Sequence, residues 1–302
     1  MESVLCQTCA DWELVIVDDC SPSDLRCIVS PYLTDERIFF YRNDKNFGAL
    51  DVVDNWNKCL EYCSGDYVIC MGDDDKLLPG CLEDLETLIS RYPSQGVYHI
   101  QTEIIDASGT VIRKLDPRPE FESSLEMIVR RWRGREQFIG DFCFDRSLLT
   151  RNSGFYKLSL AWGSDDISSF IAARGNGDGI KDGIANTGRV GFQYRNNGET
   201  ITSSGNVDVK VGALVKCYEW FDSFFAERLL KNEGDASRIA SVKKECRAHF
   251  KDVFRDYVKK DIGRNPGRLW HWINNRNLCR LSSADVCYQG LKGLVLRING
   301  KV

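Results

Sequence analysis

Two apolar, β-branched runs, each ending in acidic residues, constrain the fold of this chain more than any other feature. Tyr67-Val68-Ile69-Cys70-Met71-Gly72 is followed at once by Asp73, Asp74 and Asp75. Glu13-Leu14-Val15-Ile16-Val17 runs into Asp18 and Asp19, with the turn and helix-cap residues Cys20-Ser21-Pro22-Ser23-Asp24 behind it. Short apolar runs bounded by turn signals are expected as buried strands of a parallel sheet. In an open α/β sheet, ligands bind beyond the carboxyl ends of the strands. Three adjacent carboxylates repel one another and are costly without a partner. A hard divalent cation is the expected partner, because Mg²⁺ takes oxygen ligands and bridges one or two carboxylates to a substrate's phosphates. The plainer reading is a solvated acidic turn at 73–75, with Asp18 and Asp19 as a helix cap and a surface charge.

Around these runs the pattern alternates. A helix end at 3–9, a strand at 13–18, a helix at 22–33 and a strand at 37–42 lead into the turn-rich loop 43–48. A helix over 49–63 carries Asn55 and Asn57, and Pro79 opens another that reaches Tyr92. Val97–Ile105 and Val111–Leu115 flank Asp106-Ala107-Ser108-Gly109 as a hairpin. A helix near 122–133 precedes an apolar run at 138–144. Strands and helices of these lengths predict an α/β domain with a doubly wound, mostly parallel sheet and flanking helices over residues 1–207. From 208 onward the chain reads as a helical, basic C-terminal extension to residue 302. Ile239, Val242, Cys246, Phe250, Phe254 and Tyr257 recur there near helical spacing.

Charge separates the two parts. The net charge is −4, but residues 211–302 hold 18 Lys and Arg against 10 Asp and Glu, a balance of +8, leaving −12 for the remainder. An acidic body argues against nucleic acid at the main site. The basic tail, with Trp270 and Trp272, suggests a peripheral contact with an anionic membrane; solvated helical faces are the alternative. No apolar stretch reaches 18 residues, so no transmembrane helix is expected, and Met1-Glu2-Ser3-Val4 does not open a signal peptide. Thirteen cysteines without a paired framework fit reduced thiols and a cytoplasmic location. Cys6-Gln7-Thr8-Cys9 has metal or redox spacing but no second pair to complete a site.

With both acidic ends in place, the chain resembles the family 2 glycosyltransferases, which have the GT-A fold. Ser3-Val4-Leu5-Cys6-Gln7-Thr8 and the run from Trp12 to Ser21 carry the first part of the resemblance. Asn46-Phe47-Gly48, Asn55-Trp56-Asn57, Gly65-Asp66-Tyr67-Val68 and the acidic triplet with Leu77-Leu78-Pro79 carry the second. Gly154-Phe155, Trp162-Gly163-Ser164-Asp165-Asp166 and Tyr194-Arg195-Asn196-Asn197 complete it, so that it spans about residues 3–204. The family begins with a further strand, and this sequence starts within the helix that follows it.

The resemblance implies a sugar transfer from a nucleotide-sugar donor, most readily a UDP-sugar, to a glycan or lipid-linked acceptor, as in bacterial surface polysaccharide assembly. Asp18 corresponds to the carboxylate that meets the nucleotide base. Asp19, Asn46, Gly48, Asn55, Asp73 and Asp74 fall in the nucleotide-sugar-binding blocks. Asp74 and Asp75 are the expected ligands of Mg²⁺ or Mn²⁺; Gly72 stands where the family usually has a leading aspartate. Asp166 corresponds to the catalytic base and Asp165 to its acidic neighbour, and Asn197 replaces a histidine found near the diphosphate in many relatives. A cation would neutralise charge on the leaving diphosphate, and a base on the opposite face would deprotonate the acceptor hydroxyl, so one displacement would invert the anomeric centre. The alternative is a non-catalytic relative that binds sugar nucleotides or acts as a scaffold.

Overall fold

The structure is a computed structural model that describes residues 1–175, 179–198, 206–231 and 234–299. The chain divides into two compact units, residues 1–204 and 205–302. In chain order the first unit contains α1 (Glu2–Leu5), β1 (Leu14–Asp18), α2 (Arg26–Val29), β2 (Ile38–Arg42), α3 (Val52–Tyr62), β3 (Tyr67–Ile69), β4 (Lys76–Leu77) and α4 (Cys81–Arg91). It continues with β5 (Val97–Ile105), β6 (Val111–Lys114), β7 (Phe121–Glu122), α5 (Ser124–Trp132), β8 (Phe142–Asp145), α6 (Arg146–Arg151), α7 (Ser164–Ala173) and β9 (Ile184–Arg195).

The expected layering of a central sheet with flanking helices is present, but the sheet is not mostly parallel. A seven-stranded sheet runs β3-β8-β5-β9-β4, with β6 added to β5 and β7 to β9. Only β5 and β9 are parallel within it; β3–β8, β5–β8, β5–β6, β4–β9 and β7–β9 are antiparallel. β1 and β2 form a separate parallel pair. For β6 the reason lies in the connection: a parallel neighbour needs a long crossover, whereas β6 returns along β5 through a tight turn.

β5 is buried along its whole length. Tyr98 and Ile100 face α4, whose Cys81, Leu85 and Leu88 pack on the same cluster as Leu77, Cys143, Ala185 and Phe192. Full burial of each such leucine contributes about 1.5–3 kcal/mol. By the two-residue alternation of a strand, His99 faces the opposite side, where its ring meets Phe142 edge-on at 5.7 Å. α5 opens with a capping box between Ser123 and Glu126, which satisfies two otherwise orphaned N–H groups.

The second unit is helical, as expected: α8 (Val207–Leu230), α9 (Ala236–Arg264), α10 (Leu269–Asn275) and α11 (Ser283–Ile298). α9 buries Ile239, Val242, Cys246, Phe250, Phe254, Val258 and Ile262, one stripe at helical spacing. α9 and α11 meet through glycines. A Cβ on Gly263 would lie 2.9 Å from the Gly293 carbonyl oxygen, so neither position has room for a side chain. Trp272, expected at a membrane contact, is instead interior, and its indole N–H donates to Asp261 at 2.7 Å. Its apolar rings stabilise the core, and the buried N–H requires that acceptor. Trp270 is exposed. Among the described residues, no helix is long and apolar enough to cross a membrane.

Candidate functional site

The end of β1 places Asp18 and Asp19 in different roles. Asp18 is buried, and its carboxylate accepts from the Ser21 N–H at 2.9 Å and from Arg42 at 2.5 Å. Burial would raise this carboxyl, but the bonds from Ser21 and the Arg42 guanidinium outweigh it and hold it below the usual carboxylate range. Asp19 organises the following loop. It accepts from the Asn43 side-chain amide at 2.9 Å, the Phe47 N–H at 3.0 Å and the Gly48 N–H at 3.1 Å, while its carbonyl accepts from Asn46. Asn43 also donates to Asn55 at 2.8 Å. Gly48 has φ +66°, a conformation that favours glycine. Asp19, Asn46 and Gly48 are therefore brought together in one hydrogen-bonded loop, tied through Asn43 to Asn55 on α3.

The acidic triplet occupies the turn between β3 and β4. Pairing of β4 with β9 carries the end of β9 to this turn. The Arg195 N–H donates to Asp75 at 2.9 Å, its guanidinium donates to the Asp74 carbonyl at 2.8 Å, and Asn197 donates to the Asp74 carboxylate at 3.3 Å. Asp73 is exposed. Burial first, then the charges of Asp74 and Asp73, push the Asp75 carboxyl up to about 6 against the Arg195 N–H that opposes them. Burial and Asp73 also raise Asp74.

Gly72 explains how the two carboxylates converge. A Cβ there would lie 3.0 Å from Asp74 Oδ1 and 3.1 Å from Asp75 Oδ2, so both oxygens flank space that a larger residue would fill. Among the described residues no group of three His, Cys, Asp or Glu is arranged to hold a metal. Two carboxylates whose ionisation is opposed by burial and by acidic neighbours nevertheless fit Mg²⁺ or Mn²⁺, which is bound through one or two carboxylates plus phosphate oxygens and water.

Asp165 and Asp166 open α7, behind Gly163 at φ +92°. Acidic residues in a first turn complement the helix dipole. The Asp166 carboxylate accepts from Arg131 Nε at 2.7 Å and from Gln137 Nε2 at 2.9 Å, both on Oδ1. Its Oδ2 has no hydrogen bond among the described residues. Burial and the neighbouring Asp166 charge push the Asp165 carboxyl up. Asp141, whose charge also acts on Asp165, lies 3.6 Å from His99; burial raises the Asp141 carboxyl to about 7 against the opposing Arg118 guanidinium, and burial holds His99 well below its usual value.

A ring stack joins β9 to the segment that precedes β8. Tyr194 stacks on Phe138, with ring centroids 3.7 Å apart. Tyr194 precedes Arg195, which binds the acidic turn, and Phe138 follows Gln137, which binds Asp166. A second link joins α3 to the loop before α7: Asn57 accepts from the Phe155 N–H at 2.7 Å and donates to its carbonyl at 3.1 Å. Arg131, Gln137 and Phe138 carried no recognisable signal in the sequence. Only the basic last turn of α5 could have drawn attention to Arg131.

The profile of the family described as glycosyl transferase family 2 matches residues 1–153. The Escherichia coli K12 protein WcaA, named as a colanic acid biosynthesis glycosyl transferase, is 39% identical over 84 residues, 27% of this chain and 29% of that protein. The Bacillus subtilis 168 protein TuaG, named as a teichuronic acid biosynthesis glycosyltransferase, is 40% identical over 93 residues, 30% of this chain and 36% of that protein. The chain thus spans about a third of the length of these curated relatives. Staphylococcus aureus TarS, residues 1–349 in complex with UDP-GlcNAc, shares the fold at a TM-score of 0.64 and 15% identity, over 99% of this chain and 87% of that one. A second TarS 1–349 structure gives a TM-score of 0.61 at 15% identity, over 100% of this chain and 77% of that one. From the profile match across half its length, and from the GT-A architecture it shares with TarS, the chain belongs to glycosyl transferase family 2.

Proposed function

We propose that this chain transfers a sugar from a nucleotide-sugar donor, most readily a UDP-sugar, to a glycan or lipid-linked acceptor in bacterial surface polysaccharide synthesis. The observation that carries the reading is the linkage of the acidic turn at 73–75 to the Asp165-Asp166 pair through the Tyr194–Phe138 stack. Family membership sets the reaction class, and a UDP-GlcNAc complex of a structural neighbour makes a uridine diphosphate sugar the first donor to test.

In this reading Asp166 is the base. Arg131 and Gln137 fix its Oδ1 and leave Oδ2 for the acceptor hydroxyl. As Oδ2 takes the proton, the hydroxyl oxygen bonds to the anomeric carbon and the bond to the diphosphate breaks, which inverts that carbon. Asp165 lies beside the base, and burial together with the Asp166 charge pushes its own carboxyl up. Asp74 and Asp75 would hold Mg²⁺ or Mn²⁺, which when bound neutralises charge on the diphosphate. The 43–48 loop, held by Asp19, and Asp18 with Arg42 would receive the nucleoside. We place the reaction on the cytoplasmic side, with peripheral attachment to the inner face of the membrane.

A second reading, a non-catalytic sugar-nucleotide-binding or scaffold relative, draws on the commitment of Asp18 to Arg42. Incubation with UDP-sugars and Mn²⁺, followed by detection of released UDP, separates the two. UDP release that Asp166→Asn abolishes supports transfer; tight UDP-sugar binding without release in the presence of glycan acceptors supports the second reading.

A further inference from the structure

We propose that α11 is an interfacial helix that lies on an anionic lipid surface; this deepens the peripheral attachment suggested above. The helix packs by its small residues and turns its large ones outward. Val286, Gly290 and Gly293 are buried, with Gly290 against Ile262 and Gly293 against the Gly263 backbone. Tyr288, Leu291, Val295 and Ile298 are 57%, 64%, 55% and 84% exposed. Their spacing of three, four and three residues places all four on one face. A soluble helix normally buries such a stripe and exposes its small and polar positions.

The charges around the stripe select the occupant. Between Val286 and Asn299 the helix carries only Lys292 and Arg297 as charged residues. Lys292 Nζ sits 4.4 Å from the Tyr288 ring centroid, and Arg297 donates to the Arg264 carbonyl at the end of α9. Lys292, Arg297 and Arg264 form no ion pair among the described residues. Of the nearby carboxylates, Asp256 pairs with Lys259 and Lys260, Asp285 with Arg255 and Lys251, and Asp252 shares Arg255. An apolar stripe flanked by uncompensated cations matches anionic headgroups over an acyl layer.

Co-sedimentation of the full chain with phosphatidylcholine vesicles, with and without phosphatidylglycerol, tests this. No donor or acceptor is present, so the result does not depend on sugar transfer. The proposal predicts pelleting only with the anionic vesicles. It also predicts at least about tenfold weaker partitioning for Leu291→Glu/Val295→Glu, because two apolar side chains no longer insert. Circular dichroism and UDP binding by this exposed-face variant should match wild type. Absence of wild-type pelleting, or equal pelleting of the variant, overturns it. So does a wild-type dimer in light scattering that the variant converts to a monomer without vesicle binding at any stage.

Discussion

Tyr194 and Phe138 stack with planes 6° from parallel, and this pair joins the strand that contacts Asp74 and Asp75 to the segment that holds Asp166. Neither ring belongs to an acidic motif, yet each sits one residue from a side chain or N–H that binds one.

Tyr194→Ala should therefore lower kcat by about tenfold or more while UDP affinity changes little, because small misplacement of a base is costly. Tyr194→Phe, which keeps the ring, should stay near wild type. Steady-state kinetics with the donor found by the UDP-release screen provides the check. A loss confined to KM would contradict the positioning role.

Asp166→Asn should reduce kcat by about 10²–10⁴-fold, the usual contribution of a positioned base. UDP binding measured by calorimetry should persist. Arg131→Ala should give a smaller loss and a changed pH–rate profile, since Arg131 orients Asp166 and lowers the Asp165 carboxyl.

The Asp75 carboxyl, raised to about 6, sets a pH dependence. A raised folded value means that the folded protein holds this proton more tightly than the unfolded chain. Stability from this group is therefore present at low pH and lost as pH rises through about 6. Asp75→Asn should stabilise the protein by on the order of 1–2 kcal/mol near pH 7.5 and by little near pH 4.5, read from urea melts at both. Mn²⁺ affinity of the wild type should fall as pH drops through the same range.

Asp19→Ala should loosen the loop from Asn43 to Gly48. Its carboxylate is the acceptor for the Phe47 and Gly48 N–H groups and for the Asn43 amide. Leaving these donors without a partner should cost about 2 kcal/mol. Thermal melts and amide exchange at Phe47 and Gly48 would show it.

Much of this arrangement was legible in the residues. The run at 13–18 is a strand in a parallel pair as expected, because an apolar run against turn chemistry is a local signal; the run at 67–72 forms a strand over 67–69 that leads into the acidic turn, but it is half-buried and antiparallel rather than buried and parallel. β9 was not foreseen, although it is the central sheet's longest strand. Gly188, Gly191 and polar Asn186, Thr187 and Arg189 give it no strand pattern. Its sequence answers to packing instead: a Cβ on Gly191 would lie 2.8 Å from both Cys81 Sγ and Ile100 Cγ2. The antiparallel order of the sheet depends on long-range pairing that no local window records. Likewise Trp272 looked like a surface anchor because its partner, Asp261, lies on the preceding helix and its burial depends on that packing.

The most direct test of the central claim is calorimetric titration of UDP, with and without Mn²⁺, into wild type and Asp74→Ala. The account predicts that Mn²⁺ strengthens UDP binding to wild type and that Asp74→Ala abolishes the enhancement while the protein stays folded. UDP binding that is unaffected by Mn²⁺, or an enhancement that survives in Asp74→Ala, would contradict it.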